Sequence, residues 1–208
     1  MRYLSFDIEA TGLKENDYMI EFGMVPFCTE SKTLEEDLSF HSFIKCPSFS
    51  DLLPHLDKWV RDNNKTLIET AHKSGIELDA FNLAFKDYFE NKKVIDYFSH
   101  NEKIIPSLDN KKSDKRIPLF GKSMNSIDLP FMSRDVGWDY MRDKFHHQNL
   151  DLSTVVRCLI DLNLLGPEMI SGSELMRYLA LGEVSHTALE DARNTAIMYL
   201  KLLDLFKS

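Results

Sequence analysis

The sequence predicts an α/β protein, and three observations predict it. Residues 3–13, 18–25 and 38–44 are apolar runs of strand length joined by short polar connections, the pattern of an antiparallel meander. From Asp51 the apolar residues recur at helical spacing instead. At Ile117–Gly121 the chain reads as strand again and passes directly into a helix start near Asp128. At 208 residues and 43% hydrophobic, the chain is expected to be one domain spanning 1–208, with a substantial core.

The first strand ends where Thr11-Gly12 breaks it, and the second covers Tyr18 to Val25 with Glu21 inside it. Glu21 has either a buried partner or water as its neighbour. Glu30 to Thr33 is a polar turn, and Leu38 to Ile44 is the third strand. Leu67, Ile68 and Ala71 mark a helix that Gly75 stops. Phe81, Phe85, Tyr88 and Phe89 form an aromatic stripe at helical spacing with Asp79 as the expected N-cap, and such a stripe is core material. Residues 97–116 carry charge without apolar period and predict an exposed loop or insertion. Its Lys111, Lys112, Lys115 and Arg116 are read as solvated, the alternative being contacts to a substrate backbone. A helix follows Asp151; Ser171 to Glu174 is a capping-box pattern opening another, which Gly182 is expected to end. Thr187 to Glu190 repeats the capping-box pattern ahead of a helix with Ala188, Ala192 and Ala196 on one small-residue face, suited to lying close on a sheet.

Composition excludes some roles. The net charge of −8 argues against a broad basic face that coats nucleic acid, although a cleft whose metal ions reverse the local sign stays open to it. No apolar run reaches the roughly 20 residues of a membrane helix, so no membrane partner is expected. The first residues lack the regions of a signal peptide, and the cysteines Cys28, Cys46 and Cys158 have no metal-type spacing. Reduced thiols and a cytoplasmic location are therefore the expectation. The adjacent His146 and His147 are weak metal candidates, because neighbours point apart in regular structure and nothing nearby completes a ligand set.

The chemistry concentrates at a few carboxylates. Asp7 and Glu9 lie two residues apart on a strand, so they share a face. Two ionised carboxylates side by side on a buried strand repel and lose hydration, and a divalent cation with a preference for oxygen ligands removes both costs. Asp128 stands at a helix start just after a strand, and Asp191 in the first turn of the last helix; alone, each could simply cap or complement a helix dipole. His186 lies on the approach to that last helix, from which it can swing toward whatever Asp191 binds.

Taken together, Asp7-Ile-Glu9-Ala-Thr-Gly-Leu13, then Asp128 followed by Leu-Pro-Phe-Met, then His186 to Asp191, resemble the three motifs of the DEDDh 3′→5′ exonucleases. One difference is that Ser123, Met124 and Ile127 stand where that superfamily often has His-Asn and an aromatic before the second-motif aspartate. The resemblance covers essentially the whole chain and implies a ribonuclease H-like mixed sheet, with parallel strands added to the meander. It implies that Asp7, Glu9, Asp128 and Asp191 hold two Mg²⁺ or Mn²⁺ ions roughly 4 Å apart. In that scheme Asp7 bridges both ions, Glu9 and Asp191 complete the one carrying the attacking water, and Asp128 supports the second. His186 is then the general base, and Thr11, Gly12 and Leu13 line the pocket for the terminal nucleotide. The implied substrate is the 3′ end of single-stranded DNA or RNA, shortened by one nucleoside monophosphate per cycle. Several small relatives pair, so a homodimer is a further expectation. Two other readings compete: a metal-dependent endonuclease on the same sheet, and a non-catalytic module that binds a nucleic-acid end or a partner protein. Neither accounts for the retention of all five polar residues as directly.

Overall fold

Side chains on the first strand divide the molecule. In a computed structural model, which describes residues 1–103, 115–182 and 187–206, β1 is Arg2–Ala10. Its even members Leu4, Phe6 and Ile8 are buried in one core, and its odd members Tyr3, Ser5, Asp7 and Glu9 face the other side. β2 (Met19–Cys28) runs antiparallel to β1 with Asp7 opposite Gly23 and Glu9 opposite Glu21. The short β3 (Thr33–Leu34) and β4 (Phe40–Phe43) both pair with β2, which completes the expected meander. β5 (Leu119–Gly121) adds to β1 in parallel, and β6 (Leu150–Asp151) adds to β5 in parallel. The result is a mixed six-stranded sheet flanked by helices, an α/β fold of ribonuclease H-like order β3-β2-β1-β5-β6.

On the even face, α4 (Leu78–Glu90) packs Phe81, Phe85 and Phe89 against Phe6, Phe22 and Phe145. Each such buried ring contributes roughly 1.5–3 kcal/mol from area alone. The aromatic stripe is core, and the odd ring out, Tyr88, donates its hydroxyl to the Leu38 carbonyl at 2.7 Å. On the odd face, α8 (Leu152–Asp161), α9 (Gly172–Tyr178) and α10 (Ala188–Leu205) cover the sheet through Leu152, Val156, Leu175 and Ala196. A third cluster packs α1 (Phe49–Leu52), α2 (Lys58–Asn63) and α3 (Lys65–Ser74) over Ile20 at the start of β2.

Several boundaries differ from the sequence reading. Asp79 is inside the first turn of α4, which starts at Leu78 after Glu77. Neither Ser171 nor Thr187 closes a capping box; Ser171 bonds the hydroxyl of Ser173, and the Thr187 hydroxyl contacts the Glu190 carboxylate. α9 ends well before Gly182, because Ala180 takes a left-handed φ of 53° and Leu181 N–H returns to the Met176 carbonyl. The expected loop at 97–116 is corrected at its start. Tyr97 and Phe98 close α5 (Lys92–Phe98), and a 3₁₀ turn follows. Buried Asn101 there exchanges two hydrogen bonds with the backbone of Arg2, at 2.9 and 2.7 Å. Residues 104–114 of that segment, Lys111 and Lys112 included, lie outside the described residues.

A carboxylate cleft as candidate active site

Three segments far apart in sequence meet at the end of β1. β1 presents Asp7 and Glu9 on its odd face, as the two-residue period requires. α10 brings Asp191 in its first turn, and two backbone contacts fix where that turn lies. A side chain at Gly23 would place its Cβ 2.2 Å from the Leu189 nitrogen, so only glycine lets α10 come this close to β2. Buried Ser5 donates its hydroxyl to the Ala192 carbonyl at 2.7 Å, which ties the same helix turn to β1. In this arrangement Asp7, Glu9 and Asp191 each offer an oxygen within 4.8 Å of the others. It is the one group of three such ligands found among the described residues.

Asp128 arrives separately. β5 pairs with β1 only at Leu4 and Ser5, so the edge of β1 beyond them is open. The Ile8 N–H on that edge is satisfied by Asp128 Oδ1 at 3.1 Å, from the first residue of α6 (Asp128–Met132). Asp128 is thus held against Asp7 rather than merely capping its own helix; it is buried at 5% exposure.

The electrostatics of the cluster follow from burial and like charge. Burial lifts the Asp7 carboxyl well above its ordinary range, and the neighbouring charges of Asp128, Asp191 and Glu9 lift it further. Glu9 is pushed up to about 8, first by burial and then by Asp191 and Glu21, against a side-chain hydrogen bond from Asn64. Asp128 rises to about 7 through burial, with the backbone N–H groups of Asp128 and Ile8 opposing. Asp191 also reaches about 7 through burial and Glu190, while the ammonium of Lys122 pulls it down. Four carboxyls that resist ionising together are a donor set of hard oxygens matched to Mg²⁺ or Mn²⁺.

A cleft of about 460 Å³ opens beside the cluster, lined by Glu9, Leu13, Trp59, Asn64, Ile127 and Asp191 among others. Leu13 and Trp59 are exposed on its rim. Gly12 also lines it; the place of its missing side chain is filled by the Asp17 carboxylate, which accepts the Lys14 N–H at 2.7 Å. Arg134 holds this loop through the carbonyls of Glu15 and Asp17, while its guanidinium stacks 4.4 Å over Phe131. Thr11 does not line the cleft: it is buried, and its hydroxyl accepts the Tyr18 N–H at 2.9 Å, which shapes the turn instead. His186 lies outside the described residues.

Sequence reasoning did not find Glu21, Asn64 and Trp59. Glu21 is fully buried opposite Glu9, with the His41 Nε2–H donating to it at 2.6 Å. A lone carboxylate amid the apolar run of β2 was the available signal. Asn64 and Trp59 carried none, since they reach the cleft only through the packing of α2 and α3. His146 and His147 stack with ring centroids 4.5 Å apart, and the His146 Nδ1 accepts the Gln148 N–H, so that nitrogen is engaged.

No protein-family model and no curated protein matches the chain. Solved structures do match its fold. Cell-death related nuclease 4 (CRN-4) aligns over 99% of this chain and 64% of its own length, with a TM-score of 0.66 and 16% identity. The nuclease domain of 3′hExo, a DEDDh family member solved bound to rAMP, aligns over 99% and 92%, with a TM-score of 0.64 and 11% identity. The RNase domain of the yeast Pop2 protein aligns over 98% and 77%, with a TM-score of 0.65 and 12% identity. At these identities the likeness establishes the fold alone: the chain is folded like these nuclease domains. It spans a little under two thirds of CRN-4.

Proposed function

We propose that the chain is a metal-dependent 3′→5′ exonuclease that releases nucleoside 5′-monophosphates from single-stranded nucleic acid. The observation that supports this most is the convergence of Asp7, Glu9 and Asp191 within 4.8 Å, with Asp128 tied to the same strand, on a fold shared with 3′-exonucleases. The ligands would be Asp7, Glu9, Asp128 and Asp191. Two divalent cations, Mg²⁺ or Mn²⁺, would supply Lewis-acid activation of a water and neutralise charge on phosphorus and on the leaving 3′ oxygen.

The chain's own groups do the rest. Asp7, which feels the charges of Glu9, Asp128 and Asp191 alike, would be the ligand common to both ions. Asn64 steadies Glu9 by its hydrogen bond. His186 is assigned as the general base that takes the proton of the attacking water, a role suited to an imidazole near neutral pH. Leu13 and Trp59 line the cleft with exposed apolar faces suited to a terminal base. Three cysteines without a disulfide among the described residues support a reducing compartment such as the cytoplasm.

The test is a 5′-labelled single strand, RNA and DNA in parallel, incubated with Mg²⁺, Mn²⁺ or chelator beside the Asp191→Ala variant. A metal-dependent ladder shortening from the 3′ end, lost in the variant, is the expected outcome. Internal cuts would move the assignment to an endonuclease, and intact strands under every condition would leave a binding module.

A further inference from the structure

A second cavity lies on the other flank of α6. It measures about 670 Å³, within the usual size of a small-ligand pocket, and sits between α6, α7 (Trp138–Lys144) and the β5–β6 edge. Leu129, Met141 and Phe145 form an apolar floor, and Trp138 stands 61% exposed among the lining residues. That tryptophan follows Gly137, whose φ of 110° turns the chain between a π-helical segment (Ser133–Gly137) and α7. The polar lining includes two arginines: Arg142 is exposed and makes no hydrogen bond or ion pair among the described residues, and Arg116 is half-buried.

Resting on the exonuclease reading above, we propose that this pocket is a subsite for an upstream nucleotide of the substrate strand, its base against Trp138 and its phosphate at Arg142. Three observations favour a strand over another occupant. The chain carries −8, and cations held in the carboxylate cleft would offset charge only at the scissile phosphate, so the phosphates upstream must meet positive charge elsewhere. An aromatic face beside an arginine is the combination that holds single strands without reading their sequence. The two sites also adjoin one helix: Ile127, the residue before α6, lines the cleft, and Leu129 and Pro130 of α6 line the pocket. A helix with its side chains is about 10 Å across, a span of about three nucleotides at 3.4 Å each in a stacked strand.

The chain has two tryptophans, Trp59 in the cleft and Trp138 in the pocket, so fluorescence separates the sites. The experiment follows quenching in the Trp59→Phe and Trp138→Phe proteins, with Ca²⁺ in place of Mg²⁺ to slow cleavage. The probes are a nucleoside monophosphate, a dinucleotide and a longer oligonucleotide. The longer strand should quench both tryptophans, and the two short probes only Trp59. Arg142→Gln should weaken binding of the longer strand about tenfold, the scale of one charged hydrogen bond, and affect the dinucleotide far less. Circular dichroism verifies that each variant is folded. Quenching of Trp59 with a silent Trp138 would overturn the subsite and leave the exonuclease reading standing. Equal quenching of Trp138 by the free monophosphate would also overturn it, making the pocket a separate nucleotide site. Silence from both tryptophans with every probe would count against the exonuclease reading itself.

Discussion

The carboxylate cleft and the Trp138 pocket flank one short helix, α6, and are built on opposite principles. In the cleft, segments as distant as β1 and α10 are pinned together by backbone contacts: no side chain at Gly23, the Ser5 hydroxyl on Ala192, Asp128 on the Ile8 N–H. The groups so gathered repel one another, and burial makes the repulsion worse. In the pocket all lining residues come from one stretch, 116–149, and Arg142 is open to solvent. The difference teaches where the fold concentrates its constraint. Like charges stay together only where the backbone leaves them no alternative, whereas an adaptable site for a flexible strand needs little more than an apolar floor and a cation.

The largest contrast between the two regions should come from the cluster itself. Asp7→Asn should lower single-turnover cleavage by at least about 10³-fold, because several kcal/mol of metal-borne charge stabilisation goes with the shared ligand. A variant within tenfold of the wild type would show that this cluster is not the centre. Gly23→Ala comes next. The new methyl meets the backbone of Leu189, not a flexible side chain, so α10 must move. Denaturant unfolding should register a loss of about 1–3 kcal/mol, and cleavage should fall further than stability does. Full activity with normal stability would refute the close approach.

The order of motifs was legible because each rests on local pattern. Asp7 and Glu9 share a face by strand period, Gly12 marks the turn, and the small residues of α10 announce a close-packed helix. What escaped depended on tertiary placement. Glu21 reads as an ordinary interruption of an apolar strand until its register opposite Glu9 is known. Trp59 and Asn64 belong to no motif and reach the cleft through helix packing. The end of α9 was hidden because an alanine, not a glycine, adopts the left-handed turn. Thr11 illustrates the converse: a residue inside a motif whose hydroxyl serves the turn rather than the cleft.

A smaller effect should appear in pH. Glu9, Asp128 and Asp191 have folded values of about 8, 7 and 7, above the ordinary carboxylate values of 4.5 and 3.8. The folded protein therefore holds more protons than the unfolded chain between about 4 and 8, and cation-free stability must fall as pH rises through that window. Thermal melts in chelator should show a lower Tm at the alkaline end, and Mn²⁺ should raise Tm most there, where it no longer competes with protons. A Tm that climbs across the window in chelator would contradict these raised values. The smallest effect should be that of Ser5→Ala, which removes one buried hydrogen bond from the α10 anchor for about 1 kcal/mol. Unfolding measurements that place it level with Gly23→Ala would mean that the serine, not the missing side chain, sets the helix.

The most direct measurement is a count of Mn²⁺ bound per chain, followed by electron paramagnetic resonance at mildly alkaline pH. The wild type should bind two ions, with Asp191→Asn reducing both the number and the affinity, while Arg142→Gln should titrate like the wild type. Binding that is absent from the wild type, or that Asp191→Asn leaves untouched, would contradict the assignment of the carboxylate cleft as a metal centre.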